Sequence, residues 1–318
     1  MDLISVQRNP IPPGAAVGEL SGHDGIALRF ALWETTAAKR KGTVCVFGGR
    51  GEYIEKYFET IDDLRHRGFF VATMDWRGQG GSARLLRNPR KGHVESFADY
   101  DKDLAIFMRE IVLPDCPPPY FALGHSMGGA VLLRAACLKD CWFDRMVLVA
   151  PMLRIAELPF PESLVDRLTE IAMFLGLGDA YIPGGNGRAT DQKAFAGNDL
   201  TSDEVRFSRN KAVLDAAPEI GTGSPTIGWL HAALDSMELV SGFDFPTNVH
   251  TPVLMLAAGN DQVVDSRAIE ELAMQLKAGA QIVIDGARHE ILQERNGLRE
   301  QVWAAFDAFV PGGGGWAS

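Results

Sequence analysis

Ser126 lies in Gly124-His125-Ser126-Met127-Gly128, with the apolar run Tyr120-Phe121-Ala122-Leu123 leading in and Gly129-Ala130-Val131-Leu132-Leu133-Arg134-Ala135-Ala136 leading out. A strand that enters G-x-S-x-G and leaves as a helix is the setting of a nucleophile elbow, where a serine oxygen stands exposed on a tight turn. The flanking glycines remove Cβ atoms that would clash there, and the helix N-terminus aims backbone N–H groups at the space beside the serine. A serine hydroxyl is a weak nucleophile at neutral pH, so it needs a base, and the base needs an acid to orient it. His289, in Asp285-Gly286-Ala287-Arg288-His289-Glu290, and Asp261, in Gly259-Asn260-Asp261-Gln262, each follow an apolar strand candidate. The order Ser, Asp, His is the one such a sheet uses. Asp265 is a rival acid four residues on, but Asp261 follows the strand end immediately. The chemistry these residues define is nucleophilic acyl transfer.

Acyl transfer also needs two backbone N–H groups for the oxyanion. Met127, next after the nucleophile, is expected to supply one. The loop Gly48-Gly49-Arg50-Gly51-Glu52, after a strand ending at Phe47, is expected to supply the other, with Arg50 as the candidate. Gly49 in that loop and His125 within the elbow are candidate substrate-lining residues. The remaining histidines, His23, His66, His93, His231 and His250, fall in turns, at helix ends or beside the central insertion and are read as structural. This chemistry requires no metal and no organic cofactor.

The elements that must hold these residues alternate between strand and helix. A hairpin is expected over Ala15 to Trp33, turning at His23-Asp24-Gly25. Thr43-Val44-Cys45-Val46-Phe47 is a short continuous apolar run, as a central parallel strand buried on both faces would be. Helix 57–67, strand 69–74, helix 97–111, the strand into the elbow, its helix, and strand 146–149 complete a βαβα series. Strands 252–257 and 281–284 and a helix over 298–309 close the chain. The order implies an α/β fold with a mostly parallel sheet and right-handed crossovers. Residues 1–150 and 246–311 form the expected core. Residues 151–245 break the rhythm and read as an inserted helical cap, and the glycine-rich 312–318 as a flexible tail. Within the cap, Leu164, Leu168, Ile171 and Leu175 fall at helical spacing and are expected to bury one face. Met173 and Phe174 lie off that stripe, so Phe174 is a candidate for an acyl entrance or a lipid-surface contact. Trp229, in Pro225-Thr226-Ile227-Gly228-Trp229-Leu230, is a candidate pocket wall.

Composition narrows the partners. The chain has 318 residues, 46% hydrophobic and 23% charged, in the range of a soluble globular protein. A net charge of −10 argues against nucleic acid, whose phosphates need a basic patch. It does not oppose transient contact with a membrane surface through a few apolar cap residues. Residues 1–10 lack the apolar core of a signal peptide, no stretch is long enough to span a bilayer, and four cysteines without CxxC or metal spacing fit a reducing cytoplasm.

Taken together, these residues resemble the α/β-hydrolase superfamily, and within it the monoglyceride lipase and bacterial lysophospholipase L2 group of serine aminopeptidase S33-like hydrolases. The resemblance runs from about residue 20 to about residue 310. It rests on Gly48-Gly49-Arg50-Gly51-Glu52 with Tyr57, Asp75-Trp76-Arg77-Gly78-Gln79-Gly80-Gly81-Ser82, Gly92-His93-Val94, the elbow, Asn260-Asp261 and Arg288-His289. It implies Ser126 as nucleophile, Asp261 as acid, His289 as base, and oxyanion donors at Arg50 and Met127. Monoglyceride lipases usually begin the oxyanion loop with His-Gly where this chain has Gly48-Gly49, and the bacterial lysophospholipase-like members look closer across Ile54 to Thr60. The implied activity is hydrolysis of a lipid or small-molecule carboxylic ester. An S33-type aminopeptidase, a small-ester esterase or a C–C hydrolase is the alternative within the fold, and a third reading is a ligand-binding relative that keeps the fold without catalysis.

Overall fold

Every residue of Thr43–Phe47 (β3) is buried, which is what a continuous apolar strand with neighbours on both sides requires. It lies inside an eight-stranded sheet with β1 (Ala16–Ser21), β2 (Ala27–Trp33), β4 (Phe70–Met74), β5 (Tyr120–His125), β6 (Arg145–Val149), β7 (Val253–Ala258) and β8 (Gly279–Ile284). The order is β1-β2-β4-β3-β5-β6-β7-β8 in a computed structural model that describes residues 2–192 and 194–310. The tail 312–318 lies outside those residues. β2 runs antiparallel to both β1 and β4, and the pairs from β4 to β8 are parallel. The carboxyl ends of β3 and β5 to β8 therefore share one edge, where ligands of open α/β sheets bind.

Alternation along β3 sends Val44 and Phe47 to opposite faces, and helices cover both. On one face Phe47 meets Trp76 and Phe107, the last residue of α2 (Phe97–Phe107), which follows α1 (Phe58–His66) in the chain. On the other, Phe121, in register with Val44, meets Phe69, which in turn meets Phe306 near the C-terminus. The helix expected over 97–111 is α-helical only through Phe107. It then loosens into a π-helical turn, Met108–Val112, ahead of the short α3 (Leu113–Asp115). Pro114 lacks an N–H and its ring crowds the preceding turn, which a wider turn relieves. Met127–Ala135 (α4) leaves the elbow directly.

Between β6 and β7 the described chain is helical and irregular, with α5 (Glu162–Phe174), α6 (Glu204–Ala216), α7 (Ile227–Ser241) and α8 (Phe245–Asn248). The expected buried face of α5 is not the one that packs. Leu164, Leu168, Ile171 and Leu175 are exposed, and the buried positions are Val165 and Thr169, with Ala172 and Met173 half-buried. The reason is that α5 is apolar on two adjacent faces. The smaller side chains of Val165, Thr169 and Ala172 allow a close approach to α7, and the bulky stripe is left outside. After β7 come α9 (Ser266–Gln275) and, at the end of the described chain, α10 (Asn296–Phe309). Arg67 beyond α1 binds Asp307 of α10 at 3.1 Å, tying the two together.

Candidate active site

Ser126 is the N-cap of α4 and adopts φ 49°, ψ −116°, a conformation that L residues rarely enter. Its backbone is held in place: its N–H donates to Val149 C=O at 3.0 Å, and its C=O accepts from Ala130 and Met152. Gly128 is dictated by packing, since a Cβ there would lie 2.6 Å from the carbonyl oxygens of Phe47 and Gly48.

Asp261 follows β7 and His289 follows β8, so both reach the edge where β5 delivers Ser126. His289 Nδ1 lies 2.9 Å from Asp261 Oδ2, and His289 Nε2 lies 3.0 Å from Ser126 Oγ. The carboxylate accepts from Nδ1–H, which leaves Nε2 as the acceptor for the serine hydroxyl. Asp261 Oδ1 accepts from the N–H groups of Val263 and Val264 at 2.8 and 3.0 Å, so both of its oxygens are fixed. Burial opposes ionisation of Asp261, but these bonds and His289 hold its carboxyl below the usual range. Burial likewise lowers the pKa of His289, against the pull of Asp261 and with the help of the neighbouring His125. Asp265 does another job: it caps α9 by accepting from Arg267 N–H and binds Arg154.

The N–H groups of Arg50 and Met127 donate to no protein acceptor among the described residues. The N–H of Gly49 is instead taken by Glu52 Oε2. Glu52 is the hub of this loop. The same oxygen accepts from the Tyr57 hydroxyl at 2.5 Å and lies 3.1 Å from His125 Nδ1. The other ring nitrogen of His125 faces the carbonyl of His289 at 3.1 Å, so both nitrogens must donate and the ring is a cation. Burial opposes that charge, yet Glu52 outweighs it and raises the His125 pKa, while His125 and Lys56 hold Glu52 well below the usual carboxylate range. Gln79 pins the loop from below, donating to the carbonyls of Gly49 and Glu52 and accepting from Gly51 N–H. Asp75 fixes Ile54 N–H and Gly81 N–H and binds Arg29, which also grips Glu55. The motif around Asp75 and Gln79 thus positions the Gly48–Glu52 loop beside Ser126.

A cavity of about 450 Å³ opens over Ser126 and His289. Gly49, Arg50, His125 and Trp229 line it, as does Met152 beside the apolar pair Val263 and Val264. Phe174 does not. It is 92% exposed on the outer side of α5, because the helix presents its other face to α7. The sequence reading missed the polar wall made by Lys56, Asp191 and Glu290. The spacing of Glu52 and Lys56 was a signal for a local ion pair, but nothing in the sequence tied either to Asp191 or Glu290.

A mostly parallel eight-stranded sheet with a serine elbow, an aspartate and a histidine converging on one edge defines an α/β-hydrolase. Residues 38–296 match the family described as serine aminopeptidase, S33, and the chain belongs to that family. It is 34% identical over 293 residues to lysophospholipase L2 of Escherichia coli (strain K12), covering 88% of this chain and 83% of that protein. It is 29% identical to the probable lysophospholipase L2 of Haemophilus influenzae, covering 92% and 90%. In fold it is similar to a soluble variant of monoglyceride lipase from Saccharomyces cerevisiae, with a TM-score of 0.75, 18% identity, and 97% and 99% of the two chains covered.

Proposed function

We propose that this chain is a serine carboxylic ester hydrolase that cleaves a lysophospholipid or monoacylglycerol through an acyl-enzyme. The observation that carries the reading is the unbroken line Asp261–His289–Ser126 at a cavity, beside two N–H groups without acceptors among the described residues. His289 takes the Ser126 proton as Oγ attacks the ester carbonyl, Asp261 holds the tautomer and steadies the imidazolium, and Arg50 and Met127 N–H groups hold the oxyanion. The imidazolium returns the proton to the departing alcohol. Water, deprotonated by His289, then releases the fatty acid and frees the serine. The names of the similar lysophospholipases support a lipid ester as substrate, and the apolar wall at Met152, Ile155, Val263 and Val264 suits an acyl chain.

Residues 151–245 act in this reading as the cap over a core of 1–150 and 246–311. The exposed stripe Leu164, Leu168, Ile171 and Leu175, with Phe174, supports transient contact of that cap with a lipid surface. No helix of the described residues is long and apolar enough to cross a membrane. The four cysteines are free, which fits a reducing compartment such as the cytoplasm.

Ser126→Ala tests the mechanism. It should lower ester turnover by at least about 10⁴-fold and abolish fluorophosphonate labelling while the fold persists. Retained labelling would overturn the assignment of the nucleophile. An ester panel run beside proline p-nitroanilide separates ester from amide preference.

A further inference from the structure

Among the helices between β6 and β7, α5 is fastened differently from its neighbours. Arg206 and Arg209 of α6 both grip Glu59 of α1, and Thr226, the N-cap of α7, meets His93 Nδ1 at 2.8 Å. Helix α5 makes no such bond to the core among the described residues. Its narrow face at Val165 and Thr169 packs on α7, and its polar side chains meet another element only at His231.

That meeting point gathers groups that all accept. Asp166 Oδ1 on α5 and Asp235 Oδ1 on α7 each stand 3.9 Å from His231 Nδ1, and the three atoms lie within 4.8 Å of one another. Buried Thr169 places its Oγ1 3.5 Å from the same nitrogen. The Thr169 hydroxyl donates to the Asp166 carbonyl at 2.7 Å, so it turns a lone pair toward His231. His231 and Asp235 are four residues apart on α7 and share a face, while Asp166 arrives from the other helix.

Neither aspartate pairs with a lysine or arginine among the described residues. Packing of α5 on α7 therefore holds two carboxylates close together with one imidazole between them. At 3.9 Å the imidazole hydrogen-bonds neither. Carboxylates at this spacing repel, and a cation seated between them removes the repulsion. An ion about 2.0–2.2 Å from each ligand atom suits a gap of this width, and the exposed Asp235 side chain has room to turn toward it. One imidazole nitrogen among the oxygens selects Zn2+ over Ca2+ or Mg2+, which take oxygen ligands.

We propose that Asp166, His231 and Asp235 form a site for a divalent transition-metal ion, with Zn2+ preferred, that clasps α5 to α7. Thr169 lies beside the ion, and water completes its shell. None of the three ligands lines the cavity over Ser126, so the ion takes no part in the chemistry there. It fixes the helix that carries the exposed apolar stripe.

Isothermal titration of the full, untagged chain with ZnCl2 tests the site. The native protein should take up one equivalent with micromolar affinity and gain about 2–5 °C in melting temperature at saturation. His231→Gln and Asp166→Asn should each weaken Zn2+ binding at least about tenfold. Asp235→Asn, at an exposed position, gives the same reading should either variant not fold. Co2+ in place of Zn2+ should show visible d–d bands that His231→Gln loses. Equal Zn2+ affinity in the native chain and His231→Gln would place the ion elsewhere and overturn the proposal. No uptake at all would overturn it too, leaving a proton on His231 to serve the two carboxylates, and a preference for Ca2+ would refute the choice of metal. Binding is read without ester turnover, so the site stands or falls apart from the ester-hydrolase reading.

Discussion

In the proposed mechanism His289 must be neutral to take the Ser126 proton, and two neighbours act on it in opposite directions. Its burial and the His125 cation, with ring centres 4.9 Å apart, favour the neutral form, while Asp261 favours the charged one, and the balance lies below the ordinary histidine value. As the proposed base, His289 is inactivated by protonation only at lower pH, so the acid limb of kcat/KM on a soluble ester should lie below the ordinary histidine range. His125→Gln removes the like charge and leaves Glu52 without its cation, so the limb should move upward. A limb that stays or moves down would show that His125 does not act on the base. At this scale much was legible from sequence: serine, aspartate and histidine belong to few residue types, and each follows a strand end. The hub at Glu52 was visible only as part of a motif, since its bonds to Gly49, Tyr57 and His125 depend on how the loop closes over the elbow.

Elements were legible where one pattern had one explanation. β3, buried on both faces, could only be a central strand, and β1–β2 turned where His23-Asp24-Gly25 said it would. Helix α5 was different. Helical spacing locates an apolar stripe but does not say whether a partner covers it, and here the narrower face of Val165 and Thr169 found α7. The clustering of Lys56, Asp191 and Glu290 had no sequence signal, because it joins the helical turn Ile54–Tyr57, the segment between β6 and β7, and the residue after His289. The exposed stripe yields a prediction of its own. Ile171→Ser with Phe174→Ser should lower the ratio of vesicle-borne to soluble ester turnover about thirtyfold, from about 1 kcal/mol of lost apolar contact for each of the two side chains. Co-sedimentation with vesicles checks it, and unchanged partition would remove α5 from the contact.

Across the whole molecule, the net charge of −10 sets the sign of its long-range encounter with lipid. If apolar side chains make the contact, anionic vesicles repel the approach, and raising salt from about 0.01 to 0.15 M should strengthen binding to them by screening that repulsion. A decrease with salt would point to a basic docking patch instead. The strained backbone of Ser126 also reaches beyond the site. A residue held at φ 49° stores about 1–3 kcal/mol that the surrounding strands and helix must offset, and glycine meets that conformation without penalty. Ser126→Gly should therefore melt at a higher temperature than the native chain while turning over no ester, and a lower melting temperature would show that the elbow is relaxed. The native protein would then be less durable than its own inert variant, so that reactivity at one oxygen is maintained against the thermal endurance of the entire chain.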